Sequence, residues 1–374
     1  MGKSYNGKKL NKKKIMKLII AIVLIILLTV IGILYENNNE VKMFLDKYVF
    51  LKEKHENNLP KIPITSANDI NTYAYKGNIL ILDNNKLIAY NSNGNEEYSL
   101  DIEVSNPIFK SAGDYLCIGE KNGKKIYVIS EKNIVWQKDL EGNICDITLN
   151  SNGYLAVAIT GTLYKTIVQT FDNKGEEQFK NFLSFTYVID MSISPDNKYL
   201  AIAEANFSGI MIQSNIIVIS TEKKEKVYNK INEEGDLIVN IKYQSKDELT
   251  CVFDDHIEII KDETSTIVSN FEKEETLFTG LNNKIIKIIK RDSQVYLKIM
   301  TNEHNAREYE ILEPKKICVS DDVIAINLGS EVLFYNNSGW LIKKYSATHE
   351  INKIVLSNNL AGIVYNDKIE LVSL

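Results

Sequence analysis

The sequence predicts an all-β chain built from a repeated four-stranded unit, with one apolar helix ahead of it. Three observations carry this. Residues 18–35 form an uncharged apolar run. From Asn68 onward, short β-branched and aromatic runs alternate with turn signals about every 8–12 residues, the pattern of a repeated or sandwich-like β architecture. One kind of turn recurs at near-regular intervals to the end of the chain, and self-similarity of that period marks a repeat fold.

The apolar run reads LIIAIVLIILLTVIGILY. With Ile15 and Met16 it reaches the ~20 residues that cross about 30 Å of hydrocarbon as a helix. Leu and Ile dominate it, and each favours insertion by roughly 0.5 kcal/mol near the helix centre. No Ala-x-Ala pattern follows in 31–36 and no cysteine precedes Cys117, so a cleaved signal peptide and a lipoprotein both fit poorly. Residues 15–35 are expected to be an uncleaved transmembrane anchor. Seven lysines and no acid lie in 1–17. The positive-inside rule therefore puts a basic tail, 1–14, in the cytoplasm and everything after the anchor outside the cell membrane.

Seven of the 44 basic residues sit in 1–17, so 37 face 49 acidic ones in the rest. The net charge of −5 argues against a nucleic-acid partner. The acidic body favours a basic partner. Four cysteines in 374 residues exclude a disulfide scaffold, and 44% hydrophobic residues exclude a disordered chain. In 36–60, Val41, Phe44, Leu45, Tyr48 and Leu51 fall on one helical face, with Lys42, Asp46, Lys47, Glu53 and Lys54 opposite. An amphipathic helical stalk is expected there, ended by Pro60 and Pro63.

The recurring turns are 91–94, 130–133, 172–175, 221–224, 261–264, 302–305 and 336–339. Their spacing of roughly 35–50 residues is that of four-stranded propeller blades. Asn and Gly are frequent in them because tight hairpins need positive φ. The stretches 351–357, 360–365 and 369–374 supply three more strands, and 61–66 can supply the fourth. A ring closed by both ends of the 61–374 domain leaves fewer open sheet edges, which favours a β-propeller of eight blades over seven. The blades are expected at 67–104, 105–141, 142–183, 184–232, 233–271, 272–312, 313–347 and 348–374 with 61–66.

Ser192-Ile193-Ser194-Pro195-Asp196-Asn197-Lys198-Tyr199-Leu200-Ala201 resembles the S-P-D-G-x-x-L-A hairpin of WD40-like and TolB-like propellers, with Asn197 in place of the usual Gly. Ile134-Val135-Trp136-Gln137-Lys138 is similar to the fourth strand of quinoprotein-like repeats. Anchor and ring together resemble a family of membrane-anchored propellers of clostridia and their relatives, a domain of unknown function. The resemblance implies a fold and a location, and no activity.

Catalytic chemistry has little support. His55, His256, His304 and His349 form no metal-ligand spacing, and no C-x-x-C occurs. His256 follows Asp254-Asp255 and is expected in a solvated turn. Cys145 and Cys318 fall in first strands and Cys117 and Cys251 in second strands, all within apolar runs, where a free thiol behaves as a small buried hydrophobe. No phosphate loop, nucleophile elbow or calcium loop is present. Trp136 and Trp340 are too few for the tryptophan-per-blade pattern of quinoprotein dehydrogenases. No catalytic residue, cofactor or metal is expected.

One sector departs from the repeat. In four-stranded blades the second-to-third turns share a face with the blade-to-blade connections. On that face blade 3 carries 160–165 with Tyr164, and blade 4 carries the longer 204–214 with Phe207, Ile210 and Met211. The connection between them, 182–187, holds Phe182, Phe185 and Tyr187. Exposed apolar clusters mark partner sites. The alternative is that Phe182 and Tyr187 pack between blades and 204–214 is only a longer hairpin. The expected function is an extracytoplasmic protein-interaction scaffold for an envelope partner, with docking through Tyr164, Phe185, Phe207, Ile210 and Met211. The alternatives are a ligand-binding sensor domain and an enzyme acting in the central funnel, which would need converging titratable groups on the innermost strands.

Overall fold

The computed structural model describes residues 23, 27–35 and 59–374, apart from 233–234, 272–274, 282–284, 303–304, 321 and 337. It divides into two units after Asn58. In the first, 27–35 is helical, and Leu27, Leu28, Ile33 and Leu34 are exposed. The tail expected at 1–14, most of the anchor expected at 15–35 and nearly all of the stalk expected at 36–60 lie outside the described residues. Among the described residues, no helix is long and apolar enough to cross a membrane.

The second unit is eight antiparallel sheets of four strands each. Seven take their strands consecutively. Blade 3, for example, runs Ile144–Leu149, Leu155–Thr160, Thr166–Phe171 and Glu177–Leu183, and blade 4 runs Tyr187–Ile193, Tyr199–Asn206, Gln213–Ser220 and Glu225–Ile231. The first strands of blades 1 to 5 lie side by side, as do those of blades 6, 7 and 8, and the first strand of blade 8 meets that of blade 1. First strands are therefore innermost, and the sheets form an eight-bladed β-propeller.

A blade packed between two neighbours is covered on both faces, so its inner strands read as continuous apolar runs. Leu155–Thr160, LAVAIT, is the plainest case. Leu155, Val157 and Ile159 join the core shared with blade 2, while Ala156 and Ala158 face Leu200 and Ile202 of blade 4. Side chains alternate between the faces, so one strand serves two cores. The small alanines leave room for the bulkier neighbours.

Blade 8 combines Lys353–Leu356, Leu360–Val364 and Lys368–Ser373 with an outer strand, Lys61–Pro63, from before blade 1. Lys61 lies opposite Glu370, and the buried Ile62 opposite Ile369. Leu371 N donates to Pro60 O at 2.9 Å and Ile64 N to Asp367 O at 3.0 Å. Glu370 accepts from Tyr345 Oη at 2.6 Å and Lys368 Nζ at 2.8 Å, with Lys61 Nζ at 3.4 Å. Burial pushes the Glu370 carboxyl up, but these donors outweigh it and hold it below the usual range. The seam is thus sealed by backbone bonds and a shielded charge cluster.

Five of the recurring turns, 91–94, 130–133, 172–175, 261–264 and 336–339, fall into two kinds. Asn91, Asp172 and Asn336 each accept, through Oδ1, the backbone N–H groups two and four residues on. This is an Asx-type closure, and a left-handed glycine completes it. At Gly175 (φ 80°) a Cβ would stand 2.7 Å from the Trp136 ring of blade 2, so the glycine also lets the blades touch. The second kind, including Glu131-Lys132 and Asp262-Glu263, puts two non-glycine residues at positive φ in a two-residue hairpin.

Asn197 sits at φ 65° in the S-P-D-N hairpin. Its Oδ1 accepts from Asn150 Nδ2 at 2.6 Å and Asn152 Nδ2 at 3.0 Å, across the gap to blade 3. A glycine would supply the backbone shape and none of these bonds. Two expectations need correction. Cys145 lies on a first strand but is exposed, because the ladder skips it between Ile144 and Asp146 and the bulge turns it out of the core. His256 is buried rather than solvated. Its ring stacks on Phe253 at 4.2 Å and lies between Asp255 Oδ1 (2.5 Å) and Glu258 Oε1 (3.3 Å).

Candidate functional site

The ring has two loop faces. One carries the first-to-second and third-to-fourth turns, and residues 59–60 enter the outer strand of blade 8 from that side. The other carries the second-to-third turns and the blade-to-blade connections. The apolar residues singled out in the sequence all lie on this second face.

They come together there in ring pairs. Tyr164 packs on Phe182 with centroids 4.8 Å apart, and Tyr187 on Phe207 at 5.9 Å. Lys165 Nζ lies over the Tyr187 ring at 5.5 Å. Phe182 and Tyr187 therefore sit in a surface cluster, 48% and 42% exposed, rather than between blades. Phe185 is 74% exposed, Phe207 and Met211 are about half exposed, and Ile210 is fully exposed. Tyr164 is half-buried. Leu163 and Ile231 add exposed apolar surface on the same blades, and Val239 adds more on the first strand of blade 5. Val239 is turned out by a bulge between Ile238 and Asn240, which periodicity does not reveal.

Buried polar groups fix the loops that carry these side chains. Glu204, at the end of the second strand of blade 4, accepts from Thr186 Oγ1 at 2.7 Å and Asn215 Nδ2 at 3.2 Å, holding the 184–186 connection beneath Phe185. Thr166 Oγ1 donates to Thr186 O at 3.4 Å. Ser214 Oγ donates to Asp236 O at 2.5 Å, and Asn232 Nδ2 to Ser214 O at 2.9 Å, which ties down the next connection. Gly235 N donates to Ile212 O at 2.9 Å beside Met211. The cluster rests on a bonded framework, which lowers the ordering cost of docking.

The innermost strands carry charge. Asp190 Oδ2 accepts from Asn240 Nδ2 at 2.6 Å and Ile241 N at 2.8 Å, and Ser192 Oγ accepts from Tyr243 N at 2.9 Å. These side chains join two first strands that form no ladder. Burial pushes the Asp190 carboxyl up to about 6, the Ile241 N–H opposes this, and Asp146 adds to it. Burial also raises Asp146, with Lys110 opposing. On the far side of the ring, Lys316 and Lys353 open the first strands of blades 7 and 8. On the opposite loop face, a cleft of about 210 Å³ between blades 3 and 4 is lined by Tyr154, Phe171, Phe179, Ile193, Asn197 and Leu200. Among the described residues no group of three His, Cys, Asp or Glu side chains is arranged to hold a metal.

A β-propeller with an exposed apolar cluster on one loop face is the class that fold and site define. The chain belongs to the DUF5711 family, a family of unknown function whose model matches residues 51–374. No curated protein matches the sequence. Among solved structures it is similar to BamB from Moraxella catarrhalis, at 12% identity over 85% of this chain and 100% of that one, TM-score 0.50. It is also similar to Chaetomium thermophilum Sqt1 bound to the N-terminus of the ribosomal protein L10, at 11% identity over 85% and 100%, TM-score 0.53. A prolyl endopeptidase aligns at 11% identity over 74% of this chain and 49% of its own, TM-score 0.51. At these identities the likeness is one of fold.

Proposed function

We propose that the chain is a scaffold anchored in the cell membrane by residues 15–35, which holds its propeller outside the cell and docks an envelope protein on the blade 3–4 cluster. The observation that carries this reading is the run of exposed Phe185, Phe207, Ile210 and Met211 on connections fixed by Glu204, Thr186 and Ser214. Aromatic and Met side chains on a rigid frame are the composition of interface anchors. A partner with an apolar segment would bury them, and membrane tethering would raise its effective concentration. Sqt1, of the same fold, is bound to a segment of a protein partner, which supports a role of this kind. Binding is preferred over catalysis in the channel because the Asp190 carboxylate is already engaged by Asn240 and Ile241.

The test is in-cell crosslinking from native membranes, comparing the native chain with a Phe185→Glu, Phe207→Glu, Met211→Glu variant of unchanged thermal stability. One envelope protein captured by the native chain and lost from the variant supports the reading. The same protein retained by the folded variant removes the cluster from it.

A further inference from the structure

We propose that the inner rim of blades 7 and 8 is an oxyanion site, in which Lys316 and Lys353 bind a phosphate group. Each lysine is the first residue of an innermost strand, Lys316–Val319 and Lys353–Leu356, directly after a blade-to-blade connection. Both residues therefore lie at the channel rim on the connection-bearing face, and Lys353 Nζ reaches Thr72 O on the first strand of blade 1. The two strands are neighbours in the ring. Of the eight first strands, only these two begin with a basic residue.

The electrostatics are those of an unfilled anion site. Lys353 Nζ donates one bond, to Thr72 O at 2.7 Å, and leaves two N–H groups for another acceptor. Neither lysine makes an ion pair among the described residues. Glu313, on the connection before Lys316, pairs with Lys290 instead. The Lys353 side chain is reached by water yet surrounded by protein, as a channel-lining group is. Burial lowers its affinity for a proton, and the neighbouring Lys316 lowers it further. Cys318, two residues on from Lys316, donates to Ile354 O, and burial raises its thiol, so it offers no negative charge. Two like charges brought together without a counter-charge reduce stability. A local conflict of that kind is retained where it serves a site. A phosphate oxyanion relieves both the repulsion and the desolvation, and lysine is a suitable point-charge partner for it.

This proposal does not depend on the apolar cluster. It is tested on the detergent-solubilised full chain by following thermal unfolding in inorganic phosphate and in chloride of equal ionic strength. The expected result is a midpoint that rises with phosphate by about 2 °C or more over chloride. Lys353→Met and Lys316→Met keep the aliphatic stems, and each should abolish the phosphate-specific rise. Lys353→Met should also raise the midpoint in chloride, because it removes an uncompensated charge. Dimethyl phosphate in a parallel titration separates the sources. A Lys353-dependent rise with this diester supports binding of lipid or polymer phosphodiesters, and a rise with inorganic phosphate alone supports a free or terminal phosphate. Equal shifts in native and variant chains, or no phosphate-specific shift in the native chain, overturn the assignment.

Discussion

Replacing Asp190 by Asn should make the propeller more stable at neutral pH and leave it unchanged in acid. In the native chain Asp190 accepts the Ile241 N–H and the Asn240 amide, but its charge is held in a crowded inner strand. The carboxyl is raised from 3.8 to about 6, with burial the largest cause. Because the folded value is above the unfolded one, the folded state binds the proton more tightly. Its charged form is then a liability fully present above about pH 6, which fades as pH falls and vanishes below about 4. Each tenfold change in proton affinity is worth about 1.4 kcal/mol, so the upper bound near pH 8 is about 3 kcal/mol. Water in the channel reduces that, and about 1–2 kcal/mol is the expected gain. Asn keeps an oxygen for Ile241 N without the charge. Urea unfolding of both chains at pH 4, 6 and 8 measures the difference, since titrating groups not coupled to Asp190 cancel and its neighbour Asp146 is relieved in the same direction. A variant that is less stable at pH 8, or a difference independent of pH, would refute the reasoning. Asp190 would then be worth more as a charged acceptor than its desolvation costs.

Other expectations concern the seams. Gly175→Ala forces a Cβ onto the Trp136 ring at a positive φ and should cost about 2–3 kcal/mol, read as a lowered urea midpoint. Asn197→Gly relieves φ but deletes the acceptor for Asn150 and Asn152, so a net loss of about 1 kcal/mol is expected, and a gain would show that the backbone term dominates. Ile62→Asp buries an unpaired charge at the closure and should lower the unfolding midpoint while making residues 59–63 the first site of limited proteolysis. Burial raises the Cys117 and Cys251 thiols, whereas Cys145 is exposed. A thiol reagent on the native chain should therefore modify Cys145 first, and Cys117 and Cys251 only on unfolding.

What was legible in the sequence was what local chemistry enforces. Asn91, Asp172 and Asn336 announce their turns because the side chain that closes each loop lies within four residues of the groups it binds. The three strands at the chain end and the short run before blade 1 announced the eight-bladed ring in the same way, as a count with one strand missing. Cys145 was misjudged because a bulge shifts the two-residue period without changing composition. His256 was misjudged because Asp254-Asp255 looks like a solvated turn, while Phe253, which covers the ring, lies on the adjacent strand.

The sites were harder to read for a related reason. Asp190 reaches Ile241 across 51 residues, and Lys316 and Lys353 are brought together only by ring geometry. Each repeat therefore advertises its own fold and conceals what it does with its neighbours. The apolar cluster was the exception, because it shows as a departure from the repeat: a longer second-to-third turn with Phe207, Ile210 and Met211 where other blades spend a few polar residues. Its supports, Glu204 and Thr186, were invisible, since a buried glutamate in sequence looks like any surface acid. The two proposed sites are also separable by substitution. The cluster can be removed by surface substitutions that leave Glu204 and its bonds in place, whereas the lysine rim can be neutralised without touching blades 3 and 4. Because the two sites share a face but no residue, a partner that needed both would lose binding in either set of variants, and one that needed only the cluster would be indifferent to Lys353→Met.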